Sequence, residues 1–203
     1  MTGPDLLALL EWKRCVFDLY RDARRSPPRE GWERWRAGRD ELFAHHPQSP
    51  IPDEERASFA GLAYFDYDAG ARVAAAVVPV ERATLELPTS GTEPYRFTRF
   101  AQAAFELCGR ELRLDVYWLE GYGGGLYVPF ADATSGSTTY GAGRYLLDTV
   151  KGADLGMDGD RLVLDFNFAY NPSCSYDPGW ICPLAPPANR LAVAVEAGER
   201  HLA

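Results

Sequence analysis

The sequence predicts an α+β, mainly β protein, with two N-terminal helices followed by an antiparallel β-barrel or sandwich of about eight strands. Apolar residues recur at helical spacing as far as residue 44, and beyond the connector they alternate with period two. Turn-forming residues then recur at intervals of roughly 8 to 12 residues. Because all the helical patterns precede all the strand patterns, alternating βαβ units are not expected.

The first helix is predicted over residues 2–25 and the second over 28–44. Thr2 and Asp5 form a capping-box pattern, and Ser26-Pro27-Pro28 ends the first helix. The apolar stripe of the first helix comprises Leu6, Leu9, Leu10, Val16, Phe17 and Tyr20. That of the second comprises Trp32, Trp35, Leu42 and Phe43. A stiff, proline-rich connector follows the second helix.

The predicted strands are 59–67, 72–80, 83–87, 95–107, 111–119, 126–130, 161–168 and 191–195. The first two are expected to form a hairpin around Asp68-Ala69-Gly70, and Cys108-Gly109-Arg110 is expected to be a tight turn. We therefore expect a helical segment with its connector over 1–55, packed on a β-rich domain over 56–203. The two together form a single structural domain.

The composition excludes several classes of function. The chain has 203 residues, with 21 basic and 29 acidic side chains and a net charge of −8. With no basic run beyond Arg24-Arg25, nucleic-acid binding is not expected. The N-terminus lacks the features of a signal peptide, and no apolar run reaches the roughly 20 residues of a membrane span, so we expect a soluble, cytoplasmic protein without membrane contact. Lys13 and Lys151 are the only lysines, which we attribute to genome composition.

Residues 121–145 and 165–190 are rich in Gly, Pro, Asn, Tyr and Asp, a composition typical of ordered irregular loops. They predict a pocket for a small polar or anionic metabolite. If the protein is an enzyme, cofactor-independent hydrolysis or proton transfer is expected, with His46, Asp132 and Asp165 as the catalytic candidates. The alternative is a non-enzymatic protein whose polar residues form a rigid buried network and which acts through surface contacts, for example as a homodimer.

The first loop contains the densest set of polar candidates. Asp132, Thr134 and Thr139 lie close together in sequence, where they either bind a ligand or hydrogen bond their own loop. Arg144, with Tyr140 nearby and glycines beside it, can be presented to a carboxylate or phosphate as a rigid fork. It can equally pair with an aspartate, Asp132 or Asp165, and brace the loops.

The second loop adds further candidate ligand-binding residues: Asn167, Tyr170, Asn171 and Asn189. Asp165 and Asn167 share one face of a strand, which either faces water or lines a pocket. His46 lies in the proline-fixed connector, where it is either a base or a packing residue. Gly123-Gly124-Gly125 lacks the spacing of a phosphate-binding loop and precedes a strand-like segment, which indicates a bend.

Cys174 and Cys182 are separated by eight positions, unlike the CxxC of zinc ribbons and thioredoxins. The sequence leaves four alternatives open for this pair: two buried thiols, a disulfide, a reactive thiolate, or a zinc site completed by His46 or Asp177. No metal or organic cofactor is assigned to the chain from these residues.

Five motifs together resemble one family: HPQSPI, FAGLAYF, GGGLYVPFADATSG, TYGAGRYL and DFNFAYNPSC-x7-CPLAPPANRL. They are similar to the bacterial and archaeal domain-of-unknown-function family 1684, over about Trp12 to Gly198. The resemblance implies signature positions but no activity and no cofactor. These positions are His46, Asp132, Thr134, Thr139, Tyr140, Arg144, Asp165, Asn167, Tyr170, Asn171, Cys174, Cys182 and Asn189.

Overall fold

A computed structural model describes residues 2–201. Its helices are α1 (Gly3–Arg24), α2 (Pro28–His45) and the short α3 (Asp53–Arg56). Its strands are β1 (Arg72–Leu87), β2 (Tyr95–Leu107), β3 (Arg110–Leu119), β4 (Gly125–Phe130), β5 (Arg144–Asp148), β6 (Met157–Asp158) and β7 (Arg161–Asp165). They form one antiparallel sheet in the order β5-β4-β3-β2-β1-β7-β6.

The α+β, mainly β fold class is confirmed, with seven strands in one curled sheet that resembles half a barrel. The curl brings the edge strand β5 against the segment that follows β7. Tyr145 on the edge strand β5 pairs with Tyr170, just beyond β7, through two backbone hydrogen bonds of 2.8 and 3.0 Å. A sandwich of two sheets is therefore excluded for residues 2–201.

Both long helices occupy their predicted positions. The Thr2 hydroxyl accepts the Asp5 N–H and the Asp5 carboxylate accepts from the Thr2 backbone, which is the expected capping box. Tyr20, Trp32 and Trp35 are buried, and Trp35 packs against Phe168 with ring centroids 4.8 Å apart. The helices are thus held to the β-rich part by aromatic packing. No helix in the described range is long and apolar enough to cross a membrane.

The centre of the sheet is a meander of β1, β2 and β3. Residues 72–80 and 83–87, expected as two strands, form the single strand β1 with a register shift between Pro79 and Ala83. The predicted tight turn after β2 is confirmed. Cys108 and Gly109 have φ values of 52° and 68°, which is typical of a type I′ hairpin turn.

The predicted hairpin of 59–67 with 72–80 is wrong. Residues 59–67 are irregular except for a bridge between Tyr64 and Glu199, and β1 pairs with β2 and β7 instead. Backbone hydrogen bonds join Phe65 to Gly198 and Arg200 to Ala63, so 59–67 lies against the C-terminal segment. Its side-chain burial does not alternate along the chain as the sequence pattern suggested.

The strand predicted over 161–168 ends early, at Asp165. The Asp165 carboxylate accepts the Asn167 N–H at 3.0 Å and turns the chain into the 3-10 turn Phe166–Phe168. Arg144 was expected within a loop, but it is the first residue of β5, a strand that the sequence analysis missed.

The last predicted strand, 191–195, has the burial of a strand without belonging to the sheet. Leu191, Val193 and Val195 are buried and alternate with exposed residues. Its first part pairs with residues 131–133, since the Leu191 N–H donates to the Ala131 carbonyl at 2.8 Å and the Val193 carbonyl accepts the Ala133 N–H at 3.0 Å. From Val195 onwards a side chain replaces this backbone partner, because Arg144 donates to the carbonyls of Val195, Ala197 and Glu199.

Candidate functional site

Arg144 lies in the core, with only 1% of its surface exposed. Its Nη2 is 2.7 Å from Oδ2 of Asp132, which is fully buried. The remaining contacts of the guanidinium are with three backbone carbonyls and, at 5.0 Å, with the ring of Phe130. The burial of Arg144 and its four internal hydrogen bonds favour the bracing role over the ligand-binding one.

Asp132 extends this network into its own loop. Its Oδ1 accepts the Thr134 N–H at 2.6 Å and the Thr134 hydroxyl, and the Thr134 hydroxyl lies 2.8 Å from that of Thr139. All three side chains are at most 5% exposed. The first predicted set of site residues is thus a buried hydrogen-bond network that fixes the loop before β5.

Asp165 and Asn167 form a second buried network, which joins α2 to the sheet. The Asn167 side chain accepts the Asp68 N–H at 2.9 Å and donates to the Asp68 carbonyl at 2.7 Å, while its own carbonyl accepts Trp32 Nε1 at 2.8 Å. Arg72 lies 3.2 Å from Asp165. Burial raises the pKa of Asp165, and hydrogen bonds from Asn167 and Arg72 oppose that rise.

The Asn189 side-chain amide hydrogen bonds to the backbone of two strands. Its side chain accepts the Asp115 N–H at 2.8 Å and donates to the carbonyls of Asp115 and Pro129, at 3.0 and 2.7 Å. It is fully buried between β3 and β4. Its amide therefore satisfies backbone groups at a place where these two strands are not paired.

A cavity of about 250 Å³ lies between the two long helices and the second loop. Three of the predicted site residues contribute to its wall: Tyr170, Asn171 and Cys182. No residue of 121–145 does so. The full lining is Leu9, Trp12, Lys13, Val16 and Tyr20 from α1, Arg39 and Phe43 from α2, and then Gln48, Lys151, Ala153, Tyr170, Asn171, Ser173, Trp180, Ile181 and Cys182.

Both lysines of the chain form part of the cavity wall. Lys13 and Lys151 are exposed, and neither forms an ion pair with a carboxylate in the described part of the chain. Asp148 is buried nearby. Burial raises the pKa of Asp148, whereas the positive charge of Lys151 and, more weakly, that of Lys13 lower it.

Arg39 forms the inner, cationic part of the wall. It is 9% exposed and is flanked by the rings of Trp35, Phe43 and Tyr170, each about 5 Å from the guanidinium carbon. Its Nε donates to the Tyr64 hydroxyl at 2.9 Å and its Nη2 to Glu199 at 2.8 Å. Since a guanidinium has five N–H donors, these bonds do not exhaust it.

Glu199 is a buried carboxylate that sequence reasoning missed. Besides Arg39, it accepts from the backbone and side-chain amides of Asn171, at 3.1 and 3.2 Å, and from the Tyr176 hydroxyl. Burial raises its pKa to about 7, against the opposing effect of Arg39. Glu199 therefore titrates close to neutral pH and is joined to the cavity through two lining residues, Arg39 and Asn171.

Two polar atoms in the wall have no hydrogen-bond partner within residues 2–201. They are the hydroxyl of Tyr20, a residue only 2% exposed, and Oδ1 of Asn171, a residue 3% exposed. An unsatisfied buried polar group costs about 1 to 3 kcal/mol. Both residues line the cavity, where the Tyr20 hydroxyl can donate to a ligand, whereas Asn171 Oδ1 can only accept from one.

The remaining predicted residues lie around the cavity without lining it. His46 is half-buried against Trp12 and its Nδ1 accepts the Gln48 N–H at 3.0 Å. Burial lowers the pKa of His46. Cys174 is buried beside Tyr140, whose hydroxyl lies 3.9 Å from its sulfur. All four cysteines are free thiols, and residues 2–201 contain no group of three His, Cys, Asp or Glu side chains arranged to hold a metal ion.

The structure thus divides the predicted site residues among separate places. Tyr170, Asn171 and Cys182 line the cavity; Asp132, Thr134, Thr139 and Arg144 form one buried network; and Asp165, Asn167 and Asn189 join segments elsewhere. The charged cavity residues that sequence reasoning missed are Lys13, Arg39 and Lys151. Only the scarcity of lysine could have pointed to two of them.

Comparison with known proteins agrees with the resemblance found in the motifs. Residues 57–200 match the model of a family described as "Protein of unknown function (DUF1684)". A solution NMR structure of an uncharacterised protein from Haloarcula marismortui is 39% identical in sequence, with a TM-score of 0.60. The match covers 84% of this chain and 95% of that one. No curated protein matches the sequence. This chain belongs to the family of proteins of unknown function DUF1684.

Proposed function

We propose that the protein binds a small amphiphilic anion, a carboxylate with a short apolar chain, in the cavity between α1, α2 and the second loop. The observation that carries this proposal is the position of the cations. A chain of 203 residues with only two lysines has both at one cavity, without ion-pair partners in the described residues, and a buried arginine, Arg39, lies behind them.

The rest of the wall supports an apolar ligand body. Leu9, Val16, Phe43 and Ile181 offer aliphatic and aromatic surface, and burial of each methylene group contributes about 0.8 kcal/mol. The volume of about 250 Å³ lies just below the roughly 300 to 1,000 Å³ of typical ligand pockets. The size therefore favours a short chain over a long one.

The inner polar groups support a carboxylate as the head group. Among residues 2–201, Arg39 retains N–H donors beyond those used for Tyr64 and Glu199, and the Tyr20 hydroxyl has no partner to which it donates. A carboxylate accepts charge-assisted hydrogen bonds from both kinds of donor. This agrees with the anionic metabolite expected from the sequence, with the second loop but not the first contributing to the cavity.

The binding test is a calorimetric titration of the protein with octanoate, beside octanol and acetate. We expect octanoate to bind, because only it combines the chain with the charge, and we expect both control compounds to bind much more weakly. Changing Lys13→Met and Lys151→Met together is expected to weaken octanoate binding at least tenfold, about 1.4 kcal/mol.

The matched control is Arg110→Met, which removes an exposed cation at the start of β3, away from the cavity wall. It is expected to leave octanoate binding unchanged. Equal binding of octanol and octanoate, or unchanged octanoate affinity in the double-lysine variant, contradicts the proposal.

A further inference from the structure

A second cavity, of about 270 Å³, lies beside the one proposed to bind an anion. Its wall comes from residues 51–63, from 171–176 of the second loop and from 199–201 of the C-terminal segment. Among the described residues, Asn171 is the only one that lines both cavities. The anion binding proposed above therefore leaves the second cavity unused.

Buried polar atoms without hydrogen-bond partners are concentrated in the wall of this second cavity. Seven such side-chain atoms are found among residues 2–201, and three of them belong to residues of this wall: Asn171 Oδ1, Ser175 Oγ and Arg200 Nε. Asn171 is only 3% exposed. Because a buried polar group without a partner is destabilising, their concentration in one wall favours a binding site for a polar molecule.

These three atoms differ in what they require of a ligand. Asn171 Oδ1 can only accept a hydrogen bond, Arg200 Nε can only donate one, and the Ser175 hydroxyl can do either. A carboxylate by itself cannot donate to Asn171 Oδ1, and an ammonium group by itself cannot accept from Arg200. The ligand must therefore contain both donors and acceptors.

The charges of the wall favour a zwitterion over a neutral molecule. Arg200 and Glu55 both line the cavity, and neither forms an ion pair within residues 2–201. Glu199, in contrast, is balanced by Arg39 at 2.8 Å. One cation and one carboxylate without partners match a ligand that has one carboxylate and one ammonium group.

The part of the wall between α2 and β1 supplies apolar surface. Ile51 and Leu62 are buried, and Phe59 is half-buried, with its ring stacked on that of Phe43 at 6.5 Å between centroids. An aliphatic side chain that contacts this surface is removed from water. The volume of about 270 Å³ restricts the ligand to a small molecule.

We propose that the second cavity binds a free α-amino acid with an aliphatic side chain, such as leucine. The ligand carboxylate pairs with Arg200 and accepts from the Ser175 hydroxyl. The ligand ammonium group donates to Asn171 Oδ1 and pairs with Glu55. The aliphatic side chain packs against the apolar part of the wall.

The binding test is a calorimetric titration at pH 7 with leucine, leucinamide and 4-methylpentanoate. Leucinamide lacks the carboxylate, and 4-methylpentanoate lacks the ammonium group. Because 4-methylpentanoate also suits the anion cavity, all three are titrated into the Lys13→Met, Lys151→Met protein. We expect leucine to bind at least about tenfold more tightly than either control. No binding of leucine, or equal binding of either control, overturns the proposal.

Two variants assign the binding to this cavity. Arg200→Met is expected to weaken leucine binding at least about tenfold, and Glu55→Gln about fivefold because Glu55 is exposed. The matched controls are Arg110→Met and Glu54→Gln, which change exposed residues outside the wall and are expected to leave leucine binding unchanged.

Neither changed side chain is needed to hold the fold by hydrogen bonds. The side chains of Arg200 and Glu55 form none within residues 2–201, so we expect both variants to unfold at the wild-type temperature. Unchanged leucine affinity in both variants overturns the assignment to this cavity.

The two proposed sites are tested separately. Arg200→Met is expected to leave octanoate binding unchanged, and the double-lysine variant is expected to bind leucine as the wild type does. Leucine binding that is lost with the lysines but retained in Arg200→Met places the amino acid in the first cavity and overturns the inference. Failure of octanoate to bind affects only the function proposed above.

Discussion

Two buried arginines hold the same part of the chain in different ways. Arg144 and Arg39 each pair with a carboxylate, at 2.7 Å to Asp132 and 2.8 Å to Glu199. Both arginines hold the C-terminal segment 195–200 in place. Arg144 donates to backbone carbonyls of this segment, and Arg39 donates to the Glu199 side chain. Their chemistry is alike, and the difference lies in what surrounds each pair.

Around Arg144, the protein supplies four hydrogen-bond acceptors, a carboxylate and three carbonyls, in an enclosed place. Arg39 has two hydrogen-bonded side chains and three aromatic neighbours, and it also forms part of the wall of a cavity. Four internal acceptors in an enclosed place indicate that Arg144 serves the fold. Two hydrogen-bond acceptors and a position in a cavity wall are what the proposed ligand-binding role of Arg39 requires.

The largest expected effect tests the first of these roles. Arg144→Met removes the guanidinium but leaves the Asp132 carboxylate buried without its partner, which typically costs about 3 to 5 kcal/mol. We expect a loss of this size in the free energy of unfolding, measured with urea. Arg110→Met is the matched exposed control. If Arg144→Met costs less than about 1 kcal/mol, Arg144 does not serve the fold as the comparison states.

The second effect concerns the titration of Glu199. Its pKa is 4.5 in the unfolded chain and about 7 in the folded one, so the folded protein binds more protons over this range. The contribution of the Glu199 group to the free energy of unfolding is therefore fully present below pH 4.5 and is lost, by about 3 kcal/mol, as the pH rises through 7.

Glu199→Gln removes this titration. Between pH 4.5 and pH 8, we expect the unfolding free energy of the wild type to fall by about 3 kcal/mol relative to that of the variant. Urea unfolding at both pH values measures it. Glu196→Gln, at an exposed position in the same segment, is the control. A difference that is the same at both pH values shows that Glu199 does not titrate near neutrality.

The smallest effect separates charge from hydrogen bonding within the Arg144 network. Thr139→Val keeps the side-chain shape and removes the hydroxyl that lies 2.8 Å from that of Thr134. We expect a loss of about 1 kcal/mol in the thermal or urea unfolding free energy, the usual value for one hydrogen bond. The exposed Thr138→Val change should cost less. A Thr139→Val loss as large as that of Arg144→Met contradicts the assignment of most of the energy to the ion pair.

The sequence alone determined the features that depend on neighbouring residues. Thr2 and Asp5 predicted the start of α1, Cys108-Gly109 predicted a turn, and the change of period after the connector predicted helices followed by strands. The family motifs and the possible Arg144–Asp132 brace were also readable, because these residues lie 12 positions apart in a single loop and strand. Such local signals survive without knowledge of the fold.

Only the tertiary structure decided the pairings between distant residues. Arg39 and Glu199 are 160 positions apart, and no local pattern relates them. The same applies to Lys13 and Lys151 at one cavity, and to the segments 59–67 and 191–195, whose sequence patterns resemble those of strands. An alternating sequence pattern indicates which side chains are buried. It does not indicate whether the backbone of the segment bonds to a neighbouring strand or to a side chain, because that depends on how the sheet curls.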